Sequence, residues 1–255
     1  MKIVVTGGSG FIGSHVVDVL MENGHEVLIY DLAGPVYGQK CSYVQGNVND
    51  EEKLTGSSRG FDAIYHMAAE ANVNIFYEKP VISNYNTSNS TISVLECARK
   101  NNIKRVLLSS TEWIYGSNTG DENTQITEET GNAQNPDHLY TSSKIAAELF
   151  CKNYRTLYGV NYTIMRYGIP FGERARPATV TPIFINKILT GGEITIHGDG
   201  SQTRQFIYVR DLAEGNAACL KPEGENQVFN INGREVITII DIVRTLEDII
   251  GKKAN

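Results

Sequence analysis

Two patterns of apolar and polar residues alternate along the chain: short apolar runs, and longer segments whose apolar residues recur at helical spacing. The first run is KIVVT, at residues 2–6, and the helical segment SHVVDVLMENGH follows it. The later predicted strands are EVLIY, SYVQGNV, FDAIYHMAA, RVLLSST and NYTIMRYG, and the later predicted helices are SNSTISVLECARKNN and YTSSKIAAELFCKNY. Such alternation is typical of a parallel sheet with helices on both faces. The pattern therefore predicts an α/β fold with a Rossmann-like, doubly wound parallel sheet.

The segment between KIVVT and the first predicted helix is rich in glycine. Gly7, Gly10 and Gly13 belong to GGSGFIG, which satisfies both GxGxxG and GxxGxxG. Glycines at these positions permit a tight turn and let the backbone approach a pyrophosphate at the helix N-terminus. A glycine pattern alone is also compatible with a purely structural turn. Its place between a strand and a helix indicates a dinucleotide-binding site.

Small or polar residues stand at the ends of the predicted strands, where ligands of such sheets gather: Gly7, Asp31, Asn47, Ala68, Thr111 and Gly168. The carboxylate of Asp31 can accept hydrogen bonds from the adenosine ribose hydroxyls. It would repel a 2′-phosphate, and the adjacent Leu32 and Ala33 offer no arginine to compensate. The sequence therefore predicts NAD rather than NADP as the cofactor.

Composition and charge argue against several classes of protein. The chain has 255 residues, enough for a substantial core, and its net charge of −6 argues against binding nucleic acid through bulk charge. No apolar run approaches the roughly 18 residues of a membrane helix. Met1 leads directly into the first predicted strand, which leaves no room for a signal peptide. We expect a cytoplasmic protein that binds neither nucleic acid nor a membrane.

The four cysteines are scattered along the chain and form no CxxC pair: Cys41, Cys97, Cys151 and Cys219. Neither metal-ligand spacing nor a disulfide framework is recognisable. We expect buried free thiols in a reducing cytoplasm and no metal site.

The segment YTSSK carries a phenol and an ammonium four residues apart, Tyr140 and Lys144, near the start of a predicted helix. This spacing places both side chains on one helix face. A positive charge beside a tyrosine favours the phenolate, which would be a base usable near neutral pH. The same spacing also occurs on solvated helix faces that have no catalytic role.

The order of these motifs resembles that in the extended short-chain dehydrogenase/reductase family, specifically its NAD-dependent sugar-nucleotide epimerases and dehydratases. The matching segments cover nearly the whole chain: VTGGSGFIGSH, GNVND, YHMAAEANV, LLSSTEWIYG, YTSSKIAAE, MRYGIPFG, GDGSQTRQFIYVRDLAEG and FNINGREVITIIDI. The resemblance identifies YTSSK as the YxxxK motif of the family.

The resemblance implies catalytic roles for three residues. Tyr140 would take the proton from a sugar hydroxyl while the same carbon is oxidised. Lys144 would support the phenolate and hydrogen-bond the nicotinamide ribose. Thr111 would hydrogen-bond the reacting oxygen, although a threonine that caps a strand end is the alternative interpretation.

The resemblance also implies contacts with the cofactor. Phe11 and Ile12 would offer main-chain amides to the pyrophosphate, and Asn86 would bind the cofactor, although on its own it would be interpreted as a helix cap. The remaining positions are Asn47 and Val48 beside the adenine, with Asn47 standing where the family usually has Asp, and Ala68 and Ala69 under the cofactor.

For the substrate, the resemblance implies that Arg204 grips a diphosphate, with a surface ion pair as the alternative. Ile169 stands where many relatives have an asparagine that touches this diphosphate, so one such contact is missing. Glu128 and Glu129, in the acidic loop between residues 116 and 136, are interpreted as solvated lid residues rather than catalysts.

The residues after Thr111 bear on the reaction. A dehydratase of the family needs a further acid and base, usually Asp-Glu, but this chain has Glu112-Trp113, and an indole cannot remove a proton. Decarboxylases of the family also keep a glutamate at position 113. A 4-epimerase acting on a UDP- or dTDP-sugar is therefore the preferred prediction. The alternatives are a 4,6-dehydratase or decarboxylase, a keto-sugar reductase, and a non-catalytic NAD-binding regulator.

The expected organisation is an NAD-binding domain at residues 1–167 and a smaller substrate-binding lobe at residues 168–255, partly interleaved with the first domain. The chain stops at Asn255, whereas the resemblance implies a tail that completes this lobe, so the expectation is either a naturally short member with a shallower nucleotide pocket or a chain whose end has been removed. The resemblance further implies a homodimer formed through helices at residues 88–101 and 140–157, with Cys97 and Leu149 facing the partner.

Overall fold

The computed structural model describes residues 1–116, 126–132, 135–196 and 198–255. The strands are β1 (Lys2–Thr6), β2 (Glu26–Asp31), β3 (Ser42–Gln45), β4 (Ala63–His66), β5 (Arg105–Thr111), β6 (Asn161–Tyr167), β7 (Ile169–Phe171), β8 (Thr203–Tyr208), β9 (Gln227–Ile231) and β10 (Val236–Thr238). The α-helices are α1 (Phe11–Glu22), α2 (Glu51–Ser57), α3 (Val73–Glu78), α4 (Pro80–Asn84), α5 (Ser90–Asn101), α6 (Leu139–Tyr158), α7 (Val180–Thr190), α8 (Val209–Ala218) and α9 (Ile239–Ile250). A π-helical turn covers Tyr85–Asn89, and 3₁₀ turns cover Glu112–Tyr115 and Pro222–Gly224.

The chain divides into two compact units. The first contains Met1–Tyr167 and Ala213–Ile231, and the second contains Gly168–Leu212 and Asn232–Asn255. The assignment of NAD binding to residues 1–167 and of substrate binding to residues 168–255 stays a prediction.

The first unit is built on a seven-stranded sheet in the order β3-β2-β1-β4-β5-β6-β9. All neighbouring strands run parallel, and the register aligns their carboxyl ends, with Thr6 opposite both Tyr30 and His66 and Thr111 opposite Tyr167. This sheet with its helices confirms the predicted Rossmann-like α/β fold. Because the carboxyl ends lie at one edge, the turns that follow these strands meet there.

The core of the first unit explains why its strands are apolar without alternation. Every residue of β5 is buried, as expected for a parallel strand covered on both faces. One core cluster joins strand residues such as Ile64 and Leu108 to Leu95 of α5 and Ala147 of α6. Cys97 belongs to the same cluster and is fully buried. The expectation that Cys97 faces a partner is therefore wrong, because its thiol packs inside its own unit.

Two strands end earlier than their apolar patterns predict. The chain leaves β3 at Gln45, so Asn47 and Val48 lie in the following turn, and it leaves β4 at His66, so Ala68 and Ala69 lie beyond the strand. The Gly46 amide still donates to the Asp31 carbonyl, and the chain then turns away.

The second unit has a three-stranded sheet in the order β10-β8-β7, with β7 parallel and β10 antiparallel to β8. Phe184 of α7 packs with Ile242 and Val243 of α9 in its core. Throughout the described part of the chain, no helix is long and apolar enough to cross a membrane. All four cysteines are free thiols; Cys41 is half-buried and the other three are buried.

Candidate active site

The glycine turn between β1 and α1 has no room for side chains. Gly7 adopts φ +72°, and a Cβ on it would lie 2.6 Å from the Ala68 backbone nitrogen. A Cβ on Gly13 would lie 2.1 Å from the Gly7 carbonyl oxygen. Glycine is therefore required at both positions, because any other residue would push α1 or the turn after β4 out of place.

The N-terminus of α1 is suited to an anion. Gly10 is its N-cap, and among the described residues no side chain caps it and no acidic residue lies in its first turn. The amides of Phe11 and Ile12 therefore lie where the helix dipole favours negative charge. A backbone cradle of this kind fits the diphosphate of a dinucleotide.

Asp31 is fixed at the end of β2 by two backbone amides. Its Oδ2 accepts from the Ser9 amide at 3.0 Å, and its Oδ1 accepts from the Ala33 amide at 3.2 Å. The first bond ties the carboxylate to the glycine turn. A carboxylate held beside the anion cradle fits the ribose of the same dinucleotide.

Three asparagines connect the turn after β3 to the π-helical turn. Asn49 donates through Nδ2 to Asn86 Oδ1 at 3.3 Å, and its own Oδ1 accepts from Asn89 at 3.1 Å. Asn47 is exposed, and its side-chain oxygen accepts from the Asn49 amide at 2.9 Å, while Val48 is buried. Asn86 therefore lies inside a π-helical turn and is not a helix cap. Such turns are frequent at functional sites.

Tyr140 and Lys144 lie on the first turns of α6, and the Lys144 Nζ is 5.9 Å from the centroid of the Tyr140 ring. The Lys144 ammonium donates to the Ser109 carbonyl of β5 at 2.9 Å. Two further aromatic rings flank Tyr140, Phe76 with centroids 5.7 Å apart and Trp113 at 6.0 Å. The phenol and the ammonium thus share one helix face, as their spacing predicts, and the packing of α6 places them near the end of β5.

Burial lowers the pKa of Lys144 to about 8, and the nearby carboxylate of Glu148 limits this shift. An ordinary lysine keeps its proton to well above pH 8, so the lowered pKa brings the titration of Lys144 closer to neutral pH. Its charge therefore depends on its buried neighbours.

Those neighbours form an ion pair that the sequence analysis missed. Glu148 and Arg166 are 1% and 3% exposed, and Arg166 donates through Nε and Nη2 to the two carboxylate oxygens of Glu148 at 3.1 and 2.7 Å. Ser110 donates to the same carboxylate at 2.6 Å. The spacing of Tyr140, Lys144 and Glu148 by four residues was an available signal for Glu148, because it continues one helix face, but it gives no indication of Arg166.

Glu128 lies in the loop that was predicted to be a solvated lid. Its side chain is exposed, but its Oε1 accepts from the Asn230 amide of β9 at 2.7 Å and its carbonyl accepts from Arg166 at 3.2 Å. Glu128 therefore anchors its part of the loop. Residues 117–125 and 133–134 of that loop lie outside the described residues.

Thr111 ends β5 and is 7% exposed. Its Oγ1 accepts from the Trp113 amide at 3.3 Å and so caps the 3₁₀ turn that follows. A hydroxyl has one donor and two acceptor positions, so this cap leaves its proton available to another oxygen. The predicted bond from Thr111 to the substrate stays a prediction.

His66 is a buried histidine at the end of β4. Its Nδ1 lies 2.9 Å from Thr6 Oγ1 and its Nε2 lies 3.4 Å from Ser90 Oγ. Burial, with a smaller effect of the Lys144 charge, lowers the pKa of His66 to about 3. The ring is neutral at ordinary pH and links the ends of β1 and β4 to α5.

Arg204 lies on β8 in the second unit. Its guanidinium is exposed and donates to the Thr203 carbonyl at 2.7 Å. The predicted diphosphate contact of Arg204 stays a prediction. Among the described residues, no cluster of His, Cys, Asp and Glu could hold a metal ion.

Comparison with known proteins gives one family. The model of the NAD dependent epimerase/dehydratase family matches residues 3–232. A Methanocaldococcus jannaschii protein named as a candidate UDP-glucose 4-epimerase is 37% identical, over 95% of this chain and 81% of its own length. A dTDP-glucose 4,6-dehydratase of an Actinoplanes species is 28% identical, over 100% of this chain and 83% of its own length.

Among solved structures, the UDP-glucose 4-epimerase of Thermotoga maritima with UDP-glucose superimposes with a TM-score of 0.90 and 31% identity, covering 100% of this chain and 84% of that one. The chain spans most of the length of each relative. By sequence, fold and the glycine cradle at α1, this chain belongs to the NAD dependent epimerase/dehydratase family, and its cofactor is NAD.

Proposed function

We propose that the chain is an NAD-dependent sugar-nucleotide 4-epimerase that acts on a UDP- or dTDP-sugar. The observation that carries this proposal is the position of Trp113, whose ring is 6.0 Å from that of Tyr140. A dehydratase or decarboxylase needs a second proton-transfer group beside the sugar. An indole holds this place and cannot remove a proton, whereas epimerisation needs only one acid/base.

The similarity to 4-epimerases supports the proposal, but the same family contains the dehydratase named above. Glu112, next to Trp113, could still act as an acid. The reaction therefore has to be decided by the product that is formed.

In the proposed mechanism, NAD supplies reversible oxidation at the sugar C4 when it is bound. Tyr140 takes the proton of the C4 hydroxyl as that carbon is oxidised. The keto sugar then turns over, and Tyr140 returns the proton to the same oxygen as C4 is reduced on the opposite face. The proton count is thus unchanged over one cycle.

The other residues hold this exchange in place. The Lys144 ammonium, fixed by the Ser109 carbonyl, stabilises the Tyr140 phenolate and binds the nicotinamide ribose. The Thr111 hydroxyl donates to the C4 oxygen while it accepts from the Trp113 amide. A neutral His66 avoids a second charge beside Lys144.

The proposed cofactor contacts follow the strand ends. Phe11 and Ile12 bind the diphosphate, and Asp31 binds the adenosine ribose. The remaining contacts are Gly7, Gly10 and Gly13 in the cradle, Asn47 and Val48 at the adenine, and Ala68, Ala69 and Asn86 along the cofactor. Arg204 binds the diphosphate of the sugar nucleotide.

The protein is further proposed to be a cytoplasmic homodimer. Leu149 and Leu157 of α6 are 49% and 68% exposed, and a second copy of the chain packed along this helix would cover their apolar surface. Sedimentation that shows only monomer at micromolar concentration would contradict the dimer.

The reaction is tested by incubating the purified, NAD-loaded protein with UDP-glucose, UDP-N-acetylglucosamine, UDP-glucuronate and dTDP-glucose. Products are separated by chromatography and examined by NMR. Tyr140→Phe is the inactive variant, and Tyr158→Phe, at the far end of α6, is its matched control. A C4-inverted product that Tyr140→Phe alone loses supports the proposal.

Two other outcomes contradict it. A 4-keto-6-deoxy sugar or a pentose would identify a dehydratase or a decarboxylase. Retained NAD without conversion of any of these sugars would favour a non-catalytic regulator.

A further inference from the structure

Trp113 is a large aromatic residue that stays 40% exposed beside a catalytic side chain. Its amide is held by Thr111, and its ring packs against His138 with centroids 4.9 Å apart. A second ring contact is with Tyr140, at 6.0 Å and an interplanar angle of 86°. The indole is therefore fixed at two points while much of its surface remains uncovered.

The two aromatic neighbours of Tyr140 differ in burial. Phe76 is 1% exposed and serves as packing behind the phenol. Trp113 is exposed although burying an indole is strongly favourable. An uncovered apolar surface at this position is what a ligand with an apolar face would cover.

We infer that Trp113 is the surface on which the pyranose ring of the sugar nucleotide stacks, which makes it a substrate-binding residue of the 4-epimerase proposed above. A pyranose presents C–H groups on its faces and hydroxyls around its rim. The face of an indole is negative and apolar, so it attracts these C–H groups without competing for the hydroxyls. A sugar held there lies beside the Tyr140 phenol.

This contact suits epimerisation because it is not directional. A hydrogen bond to a hydroxyl would hold one orientation of the sugar, whereas apolar contact has no preferred direction. The keto sugar can therefore turn over while it remains on the indole. It follows that Trp113 contributes equally to the binding of both C4 epimers.

The test measures binding without turnover. In the Tyr140→Phe protein loaded with NAD, calorimetry gives the Kd of UDP-glucose, UDP-galactose and UDP, with Trp113 present or replaced by leucine or phenylalanine. Trp113→Leu should raise the Kd of both UDP-hexoses by about three- to tenfold and leave the Kd of UDP unchanged. Trp113→Phe should raise the Kd of the hexoses by a smaller factor, because it keeps an aromatic face. The control is Tyr158→Leu, an exposed aromatic on α6 about 27 Å along the helix axis from Tyr140, which should change nothing.

A second measurement needs no change at position 113. Trp113 is the single tryptophan of the chain, so its fluorescence reports this site alone. UDP-glucose should alter its emission, and UDP should not.

Three outcomes overturn the inference: unchanged affinity for the hexoses in Trp113→Leu, an equal loss for UDP, or the same fluorescence response to UDP and UDP-glucose. Each leaves the proposed reaction intact, because that reaction is judged from the product made by the wild-type protein. If the wild-type protein converts no sugar, the proposed function fails whatever Trp113 contacts.

Discussion

Glu148 lies one helical turn beyond Lys144 on α6 and holds Arg166 of β6 through both of its carboxylate oxygens. The pair is buried, so neither charge can be solvated if the other is removed. Through its position in the helix, the same carboxylate also acts on Lys144. One ion pair thus connects the stability of the first unit to the charge of Lys144 in the candidate active site.

Glu148→Gln should lower the free energy of unfolding by about 3–5 kcal/mol, because it leaves a buried guanidinium without its counter-charge. The measurement is urea unfolding at neutral pH. Glu26→Gln is the control, since Glu26 and Lys2 form an exposed pair with side chains 61% and 54% exposed. Exposed pairs contribute about 0–1 kcal/mol, so equal losses in the two variants would contradict the role given to the buried pair.

The value of kcat should fall as the pH rises through about 8, because Lys144 then loses the proton whose charge stabilises the Tyr140 phenolate. Since Glu148 holds the pKa of Lys144 up, Glu148→Gln should move this limb to lower pH. The measurement is a pH–rate profile with saturating substrate. An unchanged upper limb in Glu148→Gln would show that Lys144 does not control it.

The lowered pKa of Lys144 also predicts a change of stability with pH. Between about pH 8 and the ordinary lysine value of 10.5, the unfolded chain binds a proton that the folded chain has released. Stability contributed by this group therefore rises with pH across that window. The free energy of unfolding, measured by urea denaturation, should therefore increase more between pH 8 and 10.5 in the wild-type protein than in Lys144→Met. A difference between the two proteins that stays constant over this range would refute the prediction.

Gly13→Ala should weaken NAD binding by at least about tenfold and destabilise the protein, because its Cβ would lie 2.1 Å from the Gly7 carbonyl. Calorimetry with NAD and thermal unfolding measure the two effects. Gly56→Ala in α2 is the matched control, because nothing lies within 4 Å of its added Cβ. That helical substitution should be neutral or stabilise by about 0.5–1 kcal/mol.

Asp31→Asn should reduce the preference for NAD over NADP, mainly by removing the repulsion of a 2′-phosphate. The Kd of NADP divided by the Kd of NAD, both measured by calorimetry, should fall by about tenfold or more. Asp18→Asn on α1 is a control of equal charge change. If the ratio stays the same, Asp31 does not face the adenosine ribose.

Much of this fold can be predicted from sequence because its signals are local. The glycine turn and the spacing of Tyr140 and Lys144 each depend on neighbouring residues, and the apolar runs mark the parallel strands. The apolar pattern predicts strands that extend past the true ends of β3 and β4, because Val48 and Met67 continue the pattern after the chain has left the sheet.

Other features depend on contacts between distant residues. The pairing of Glu148 with Arg166 requires knowing which strand lies beneath α6, and periodicity does not carry that information. The same holds for Cys97, whose helix face could be assigned to a partner or to the core until the packing of α5 was known. The π-helical turn that contains Asn86 adds a residue to a helix without leaving a sequence signal.

The last strand of the large sheet has a consequence for synthesis on the ribosome. β9 pairs with β6, yet the segment Gly168–Leu212 separates the two along the chain. Until residue 231 has emerged, β6 presents an unpaired edge, and such edges recruit other chains. A fragment that stops at Tyr167 would keep that edge unpaired, so residues 1–167 by themselves should associate through it more readily than the whole chain does.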